Sequence, residues 1–271
     1  LEAFNKTEIE VLKGNYSNLD SGEEFTNPEH YFSNDIDLFG IGSFDYKSIG
    51  ASRTEANNPN LIPLYETLES MNPIDTYTSD DYFALLDNNE RMAFFSLLDI
   101  AVGRLPAATL SEAKTLVDKI VYYETSNNIL KDWKNRICFV ADDEDNNLHF
   151  KDAEDILSIS GIENIDYYNV DKIYIDAFSQ ANAAGGDRYP DVVDAILRKL
   201  FTGTFFVDYT GHGGPTNWAQ ERIFNIQDIR NLENKDKLPL FMTATCDFSP
   251  FDDPTIVSAG ESLLLNPNGG A

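Results

Sequence analysis

Two residues in the second half of the chain have the types and surroundings that acyl transfer needs. Cys246 follows the apolar run Leu240, Phe241, Met242, Thr243, Ala244 and Thr245, and opens a polar loop running from Asp247 to Pro254. Its thiol therefore stands where a strand gives way to solvent-facing chain. His212 lies in Thr210-Gly211-His212-Gly213-Gly214-Pro215, directly after the run Thr204 to Tyr209. The neighbouring glycines let backbone amides approach a substrate closely, and such amides can hold an oxyanion. A thiol of ordinary pKa, about 8.5, is only slightly ionised at neutral pH. A positioned imidazole can take its proton and later protonate a leaving amine. Each residue alone says less, because a free cysteine is commonly a small buried hydrophobe and a loop histidine among glycines also serves as a turn element or anion contact. Cys138, inside the run Ile137 to Ala141, reads as the buried kind.

A third strand end carries Ala141, Asp142, Asp143, Glu144, Asp145, Asn146 and Asn147. One carboxylate here could orient the imidazole and the others could bind a cation, calcium being the plausible one. Asp143, Asp145, Asn147 and Glu154 fall at four EF-hand ligand offsets, yet Leu148 occupies the position that loop reserves for glycine, so no EF-hand is assigned. A solvated acidic face is the competing account. Three histidines, two cysteines and no Cys-x-x-Cys or His-x-x-x-His spacing leave no structural zinc site.

These residues need a scaffold that brings strand ends together. From about Arg136, short apolar runs alternate with amphipathic stretches, which predicts strand-helix-strand units and a mostly parallel sheet. The runs are Ile137 to Ala141, Lys172 to Asp176, Thr204 to Tyr209 and Leu240 to Thr245. Pro190 can open a helix in which Val192, Val193, Ile196, Leu197 and Leu200 form one buried stripe before Gly203. Thr109-Leu110-Ser111-Glu112 has capping-box spacing ahead of Leu116, Val117, Ile120 and Val121, predicting a helix over about 110–124. Ile36 to Ile41 and Asp99 to Gly103 read as strands of a smaller subdomain. The resulting division is 1–35 without clear signal, 36–130 as a first α/β subdomain, and 131–271 as a second, catalytic one. His212 and Cys246 end successive strands 34 residues apart with one helix between, so their strands should be neighbours.

Composition narrows the classes. The 271 residues are 42% hydrophobic and 24% charged, values of a folding globular chain. Forty-six acidic against twenty basic side chains give a formal charge of -26, which repels phosphate backbones and excludes nucleic acid as a partner. No stretch approaches the ~18 apolar residues that cross a bilayer, so a soluble piece is expected. The chain opens without Met and closes on Asn266-Pro267-Asn268-Gly269-Gly270-Ala271, a turn that reads as leading into further chain, so a fragment is expected.

The residues also resemble the gingipain-type cysteine peptidases. Tyr209-Thr210-Gly211-His212-Gly213 is similar to that family's histidine loop, and Ala244-Thr245-Cys246 to its nucleophile strand. The likeness continues through Leu38 to Lys47, Ser79 to Leu86, Ala101 to Pro106, Asp132 to Asp143 and Cys246 to Pro254, and is nearest to the family's type IX secretion sortase branch. The resemblance implies a caspase-like α/β fold of two packed subdomains, the sheet mostly parallel and flanked by helices. It implies Cys246 as nucleophile, His212 as its partner, Glu144 as the residue orienting His212 with Asp143 or Asp145 as near alternatives, and an oxyanion hole from the amides of Gly213 and Cys246. It further implies structural calcium, with Asp142, Asp143, Asp145, Asp252 and Asp253 as candidate ligands. The family's domain runs on past Gly269-Gly270-Ala271 into another strand, so the sheet here is expected to be incomplete. The sortase branch implies cleavage of C-terminal signal domains from secreted cargo, transfer to water or to amine-bearing lipopolysaccharide, secretion-system partners, and a cell-envelope location, outer-membrane associated or at the surface. Two accounts compete. An α/β-hydrolase esterase would need Gly-x-Ser-x-Gly, which does not occur. A catalytically silent protein-binding module on the same fold is the other.

Overall fold

The computed structural model describes residues 79–87, 97–129, 131–162, 166–183, 186–251 and 256–271. The expected strand at Ile36 to Ile41, the first 35 residues, Asp252 and Asp253 lie outside them. The chain divides into two compact units, Leu1–Ala108 together with Asp252–Ile256, and Thr109–Phe251 together with Val257–Ala271, so the break at 108/109 comes ahead of the junction expected at 130/131.

In the first unit, Asp81–Ala84 forms a single 3-10 turn. Arg104 Nε donates to both carboxylate oxygens of Asp80, at 3.1 and 3.0 Å. The strand expected over Asp99 to Gly103 is not formed. Asp99 instead gives its N–H to the Ala84 carbonyl and accepts the Leu86 N–H on its carboxylate, so this segment is tied to the turn at 84–86 by one backbone bond and one side-chain bond.

In the second unit the described residues form five helices: α1 (Leu110–Thr125), α2 (Glu144–Ser160), α3 (Pro190–Thr202), α4 (Ile226–Arg230) and α5 (Ala259–Leu265). The strands are β1 (Arg136–Ala141), β2 (Asn169–Tyr174), β3 (Ala181–Ala183), β4 (Gly186–Arg188), β5 (Phe206–Thr210), β6 (Gly213–Gly214), β7 (Asn217–Trp218), β8 (Phe224–Asn225) and β9 (Leu240–Ala244). The expected parallel sheet is present, in the order β2-β1-β5-β9. β2 stops two residues before the run Lys172 to Asp176 does: the Phe178 N–H closes a 3-10 turn onto the Ile175 carbonyl, and Ile175 is fully buried.

β1 shows why this is a doubly covered sheet. Its alternate residues Ile137, Phe139 and Ala141 pack on Ala153 and Leu157 of α2, while Cys138 and Val140 face the cluster built by Val192, Ile196 and Leu200 of α3. With both faces buried the strand reads as a continuous apolar run and not as an alternating one. Each helix has its local cause. α1 starts with a capping box, Glu112 N–H to Thr109 Oγ1 at 3.2 Å and Thr109 N–H to Glu112 Oε2 at 2.8 Å. α3 starts on Pro190 and stops at Gly203, whose φ of 98° and closeness to Trp133, 2.6 Å from any added Cβ, admit only glycine. The short sheet β6-β7-β8 is the hairpin region that carries the histidine loop, and Trp218 within it is fully buried against Tyr209, Phe224, Phe241 and Phe248.

Candidate active site

The parallel register sets the geometry. Ala141 pairs with Thr210 and Thr210 with Ala244, so three strands end at one level. The ladder runs one step further, with Asp142 N–H donating to the Thr210 carbonyl at 3.1 Å and Gly211 N–H to the Ala244 carbonyl at 3.2 Å. His212 and Cys246 each come two residues after a paired position on adjacent strands, which lie about 4.8 Å apart. Cys246 is exposed and Asp247, immediately after it, has a left-handed φ of 44°, so the chain turns sharply at the thiol. Cys138 is buried within β1, and burial, with a contribution from Asp171, pushes its thiol up to about 12, which removes it from nucleophilic chemistry.

The His212 backbone is held at both ends. Its N–H donates to Asp142 Oδ2 at 2.9 Å. Its carbonyl accepts from the Tyr209 hydroxyl at 2.5 Å and from the Ala219 N–H at 2.7 Å. Tyr209 is itself stacked on Trp218, centroids 4.4 Å apart, so the phenol that grips the loop is fixed by the core. Gly211 is needed here because a Cβ would come within 2.4 Å of Asp142 Cβ and 2.6 Å of the Tyr209 hydroxyl. Gly213 lies against Thr245, the residue before Cys246: a Cβ there would meet Thr245 Oγ1 at 2.4 Å.

The carboxylate that meets the His212 imidazole is that of Asp145, 2.9 Å from Nε2. Glu144, which the resemblance places in that role, begins α2 with a half-buried side chain and is not the residue bonded to the ring. The reason is backbone geometry. Asp145, Asn146 and Asn147 all adopt left-handed conformations, φ 55°, 56° and 64°, and this turn brings Asp145 to His212. Asp and Asn are the non-glycine residues that tolerate this region best, so Asp-Asn-Asn was a readable signal. His149, one helical turn on, places Nε2 3.5 Å from the same Asp145 oxygen and stands edge-on to the His212 ring, centroids 5.1 Å apart. In the tautomer that donates Nε2–H to Asp145, Nδ1 of His212 is left as the acceptor nitrogen.

Below this loop a second carboxylate group gathers. One oxygen from each of Asp142, Asp143 and Glu221 lies within 4.8 Å of the others. Asp142 and Glu221 are almost fully buried, at 1% and 7% exposure. Burial raises the pKa of both; for Asp142 the amides of His212 and Asp143 oppose the rise, and for Glu221 its own amide does, while Asp142, Asp143 and Glu144 add to it. At an effective dielectric of about 20, each ionised pair at this spacing repels by about 3–4 kcal/mol. Tyr189 donates its hydroxyl to Asp143 Oδ2 at 2.6 Å, and Glu221 Oε2 is buried without a hydrogen-bond partner. A hard cation fits this donor set, which is all oxygen and carries an orphaned buried acceptor. Glu221 was not found from sequence, being a single acid in a polar turn with no periodic pattern around it. Tyr189 and His149 likewise carry no pattern that marks them, whereas Tyr209 opens the histidine-loop motif and its grip on the His212 carbonyl emerges only in the fold.

The model of peptidase family C25 matches residues 33–271. Among curated proteins, the Lys-gingipain of Porphyromonas gingivalis is 28% identical over 151 residues, covering 56% of this chain and 8% of that protein. Gingipain R2 of the same species is 23% identical over 152 residues, covering 55% of this chain and 19% of its own length. This chain therefore spans less than a fifth of the curated relatives it matches. Among solved structures, that of the Arg-specific cysteine proteinase gingipain R superposes with a TM-score of 0.60 at 16% identity, covering 83% of this chain and 49% of the other. That likeness shows the expected caspase-like α/β fold. No described helix is long and apolar enough to cross a membrane. With the family's match extending over most of its length, the chain belongs to peptidase family C25, the gingipain family of cysteine peptidases.

Proposed function

We propose that this chain carries the acyl-transfer centre of a cysteine endopeptidase, with Cys246 as nucleophile and His212 as general base and acid. The observation that carries it is the Thr210–Ala244 register, which ends two adjacent parallel strands beside an exposed thiol and a fixed imidazole. His212 takes the Cys246 proton as sulfur adds to the scissile carbonyl. The imidazolium, facing the Asp145 carboxylate, then gives that proton to the leaving amine as the C–N bond breaks, leaving a thioester. Water, deprotonated by the same imidazole, cleaves the thioester and restores the thiol. Amides of Gly213 and Cys246 stabilise the oxyanion in both steps. A hard cation, when bound, would be held by Asp142, Asp143 and Glu221 and would supply charge balance beneath the His212 loop.

The substrate in this reading is a secreted protein carrying a C-terminal signal domain, cut at the cell envelope among other secretion components, with the acyl group passed to water or to an amine-bearing lipopolysaccharide. Support comes from the ordered likeness of segments from Leu38 to Pro254 to the secretion sortase branch.

The test is labelling by an electrophilic thiol-directed peptide probe, with the adduct located by mass spectrometry in wild type, Cys246→Ala and His212→Ala. Modification at Cys246 that slows in the His212 variant is expected. A folded protein that leaves Cys246 untouched, or that labels at Cys138, would sink the peptidase reading. Incubation with cargo bearing the signal domain then separates outcomes: a free carboxyl product means hydrolysis, an amide to added amine means transfer, and an uncut cargo removes the sortase assignment alone.

A further inference from the structure

We propose that Asp145, His149 and His212 form an inhibitory site for a divalent transition ion of the zinc type, which withdraws His212 from the dyad by binding its Nε2. The inhibitory consequence rests on the reading of His212 as the base. Two observations meet here. The first is spacing. One ligand atom from each of the three residues lies within 4.8 Å of the other two. His149 Nε2 stands 3.5 Å from Asp145 Oδ2, longer than the usual N–H···O distance of about 2.7–3.2 Å. Two ligands each about 2.0–2.1 Å from a tetrahedral zinc are themselves about 3.3 Å apart, so the separation suits a shared ion better than a hydrogen bond. His212 Nε2, 2.9 Å from the same oxygen, needs to draw back only slightly. The second observation is His149 Nε2 itself, a buried ring nitrogen with no hydrogen-bond partner. A buried polar atom left unpaired is unfavourable unless something completes it.

The donor chemistry selects the ion. Two imidazoles and one carboxylate make an open zinc site, with the fourth position left to water. Calcium and magnesium prefer oxygen throughout, so this set differs in kind from the all-oxygen group at Asp142, Asp143 and Glu221. No local spacing announces it: Asp145 and His149 are one turn apart at the start of α2, while His212 arrives from the loop after β5. The side chains of Asp145 and His212 are 52% and 42% exposed, which opens the site to solvent, and a formal charge of -26 draws cations to the chain. The tautomer then decides the effect. Without metal, His212 gives Nε2–H to Asp145 and keeps Nδ1 as acceptor. With an ion on Nε2, the one proton of the neutral ring sits on Nδ1, which becomes a donor and cannot take the Cys246 proton. That proton moves between ring nitrogens through water, and none is gained or lost.

The experiment is calorimetric titration with zinc, in excess calcium to fill all-oxygen sites, of wild type, Cys246→Ala, His149→Gln and Asp145→Asn. Cobalt(II) absorption serves as the spectroscopic probe of the ligand set. Wild type and Cys246→Ala should bind zinc within about threefold of each other, because the thiolate is not a ligand. His149→Gln should bind at least ~10-fold more weakly, the loss that even an outer-shell change can cause. Asp145→Asn, altering an exposed side chain, gives the same reading should His149→Gln fail to fold. The cobalt spectrum should show tetrahedral bands without thiolate charge transfer. Zinc should also slow labelling of Cys246 by a thiol-directed probe in wild type. Absence of zinc binding, or binding lost in Cys246→Ala and kept in His149→Gln, would overturn the site. Binding with the expected ligand dependence that leaves Cys246 labelling unslowed would instead overturn the inhibition and count against His212 as the base. Failure of the site and failure of the peptidase reading are thereby separated.

Discussion

His212 Nε2 and Asp145 Oδ2 stand 2.9 Å apart across two strand ends, joining the loop after β5 to the left-handed turn that opens α2. This contact makes Asp145, and not Glu144, the residue expected to hold the ring through the reaction. A hydrogen bond to a charged partner contributes roughly 1.5–3 kcal/mol, so Asp145→Asn should lower kcat about 10- to 150-fold with KM little changed. Glu144→Gln should lower it less than threefold. Peptide cleavage kinetics on the two variants decide between them, and the reverse ranking would return the orienting role to Glu144.

Gly213 packs against Thr245 so closely that a methyl group has no room: its Cβ would lie 2.4 Å from Thr245 Oγ1 and 3.2 Å from Cγ2. Gly213→Ala should displace the amide proposed for the oxyanion and reduce kcat by roughly 10- to 1000-fold. Thr245→Ala removes both colliding atoms, so the double variant should recover part of the loss. A double variant no faster than Gly213→Ala would show that the glycine serves some other purpose than this fit.

Lys119 of α1 donates through Nζ to the carbonyls of Leu263, Leu264 and Gly269, at 3.1, 2.8 and 2.9 Å. These acceptors lie at and just beyond the C-terminal end of α5, where helix carbonyls lack intrahelical donors. Lys119→Met keeps the apolar stem and strands the carbonyls, which should cost roughly 1–3 kcal/mol in denaturant unfolding. Lys119→Arg, longer and planar, should recover only part of it. An unchanged midpoint in the Met variant would mean that the contact contributes nothing net.

The core strands were legible because each is an apolar run ended by polar or glycine-rich residues, and because a helix between His212 and Cys246 makes their strands neighbours. Burial on both faces of β1 leaves just such a continuous run. What escaped depends on backbone turns that reverse chain direction. Four consecutive acids at 142–145 cannot be ranked by spacing; Asp142 takes the His212 N–H, and the left-handed conformations of Asp145, Asn146 and Asn147 bring Asp145 to the ring. Glu221 arrives beside Asp142 only after the β6-β7 hairpin folds back, an event that no local pattern around it announces. Asp99 to Gly103 has strand composition, yet Asp99 is bonded to Ala84 and Leu86 by one backbone and one side-chain hydrogen bond and the segment follows an irregular path.

Asp208 is a buried carboxyl in the middle of β5, accepting a hydrogen bond from the Thr210 hydroxyl at 3.2 Å. Burial raises its pKa above the ordinary carboxyl value, with the Thr210 bond opposing the rise. The folded state therefore holds a proton that the unfolded chain, at about 3.9, has already released. Stability from this group is present below the unfolded pKa and is lost as pH rises through the higher folded value, so at neutral pH Asp208 is a net cost. Asp208→Asn, which keeps the shape without the charge, should raise the melting temperature at pH 7. The advantage should shrink as the pH falls towards about 4, where wild type carries the proton. Melting curves at pH 4 to 8 test this, and a variant that melts below wild type at pH 7, or that differs by a constant amount across the range, would show that the ionised carboxylate is supported in the core by more than the Thr210 hydroxyl.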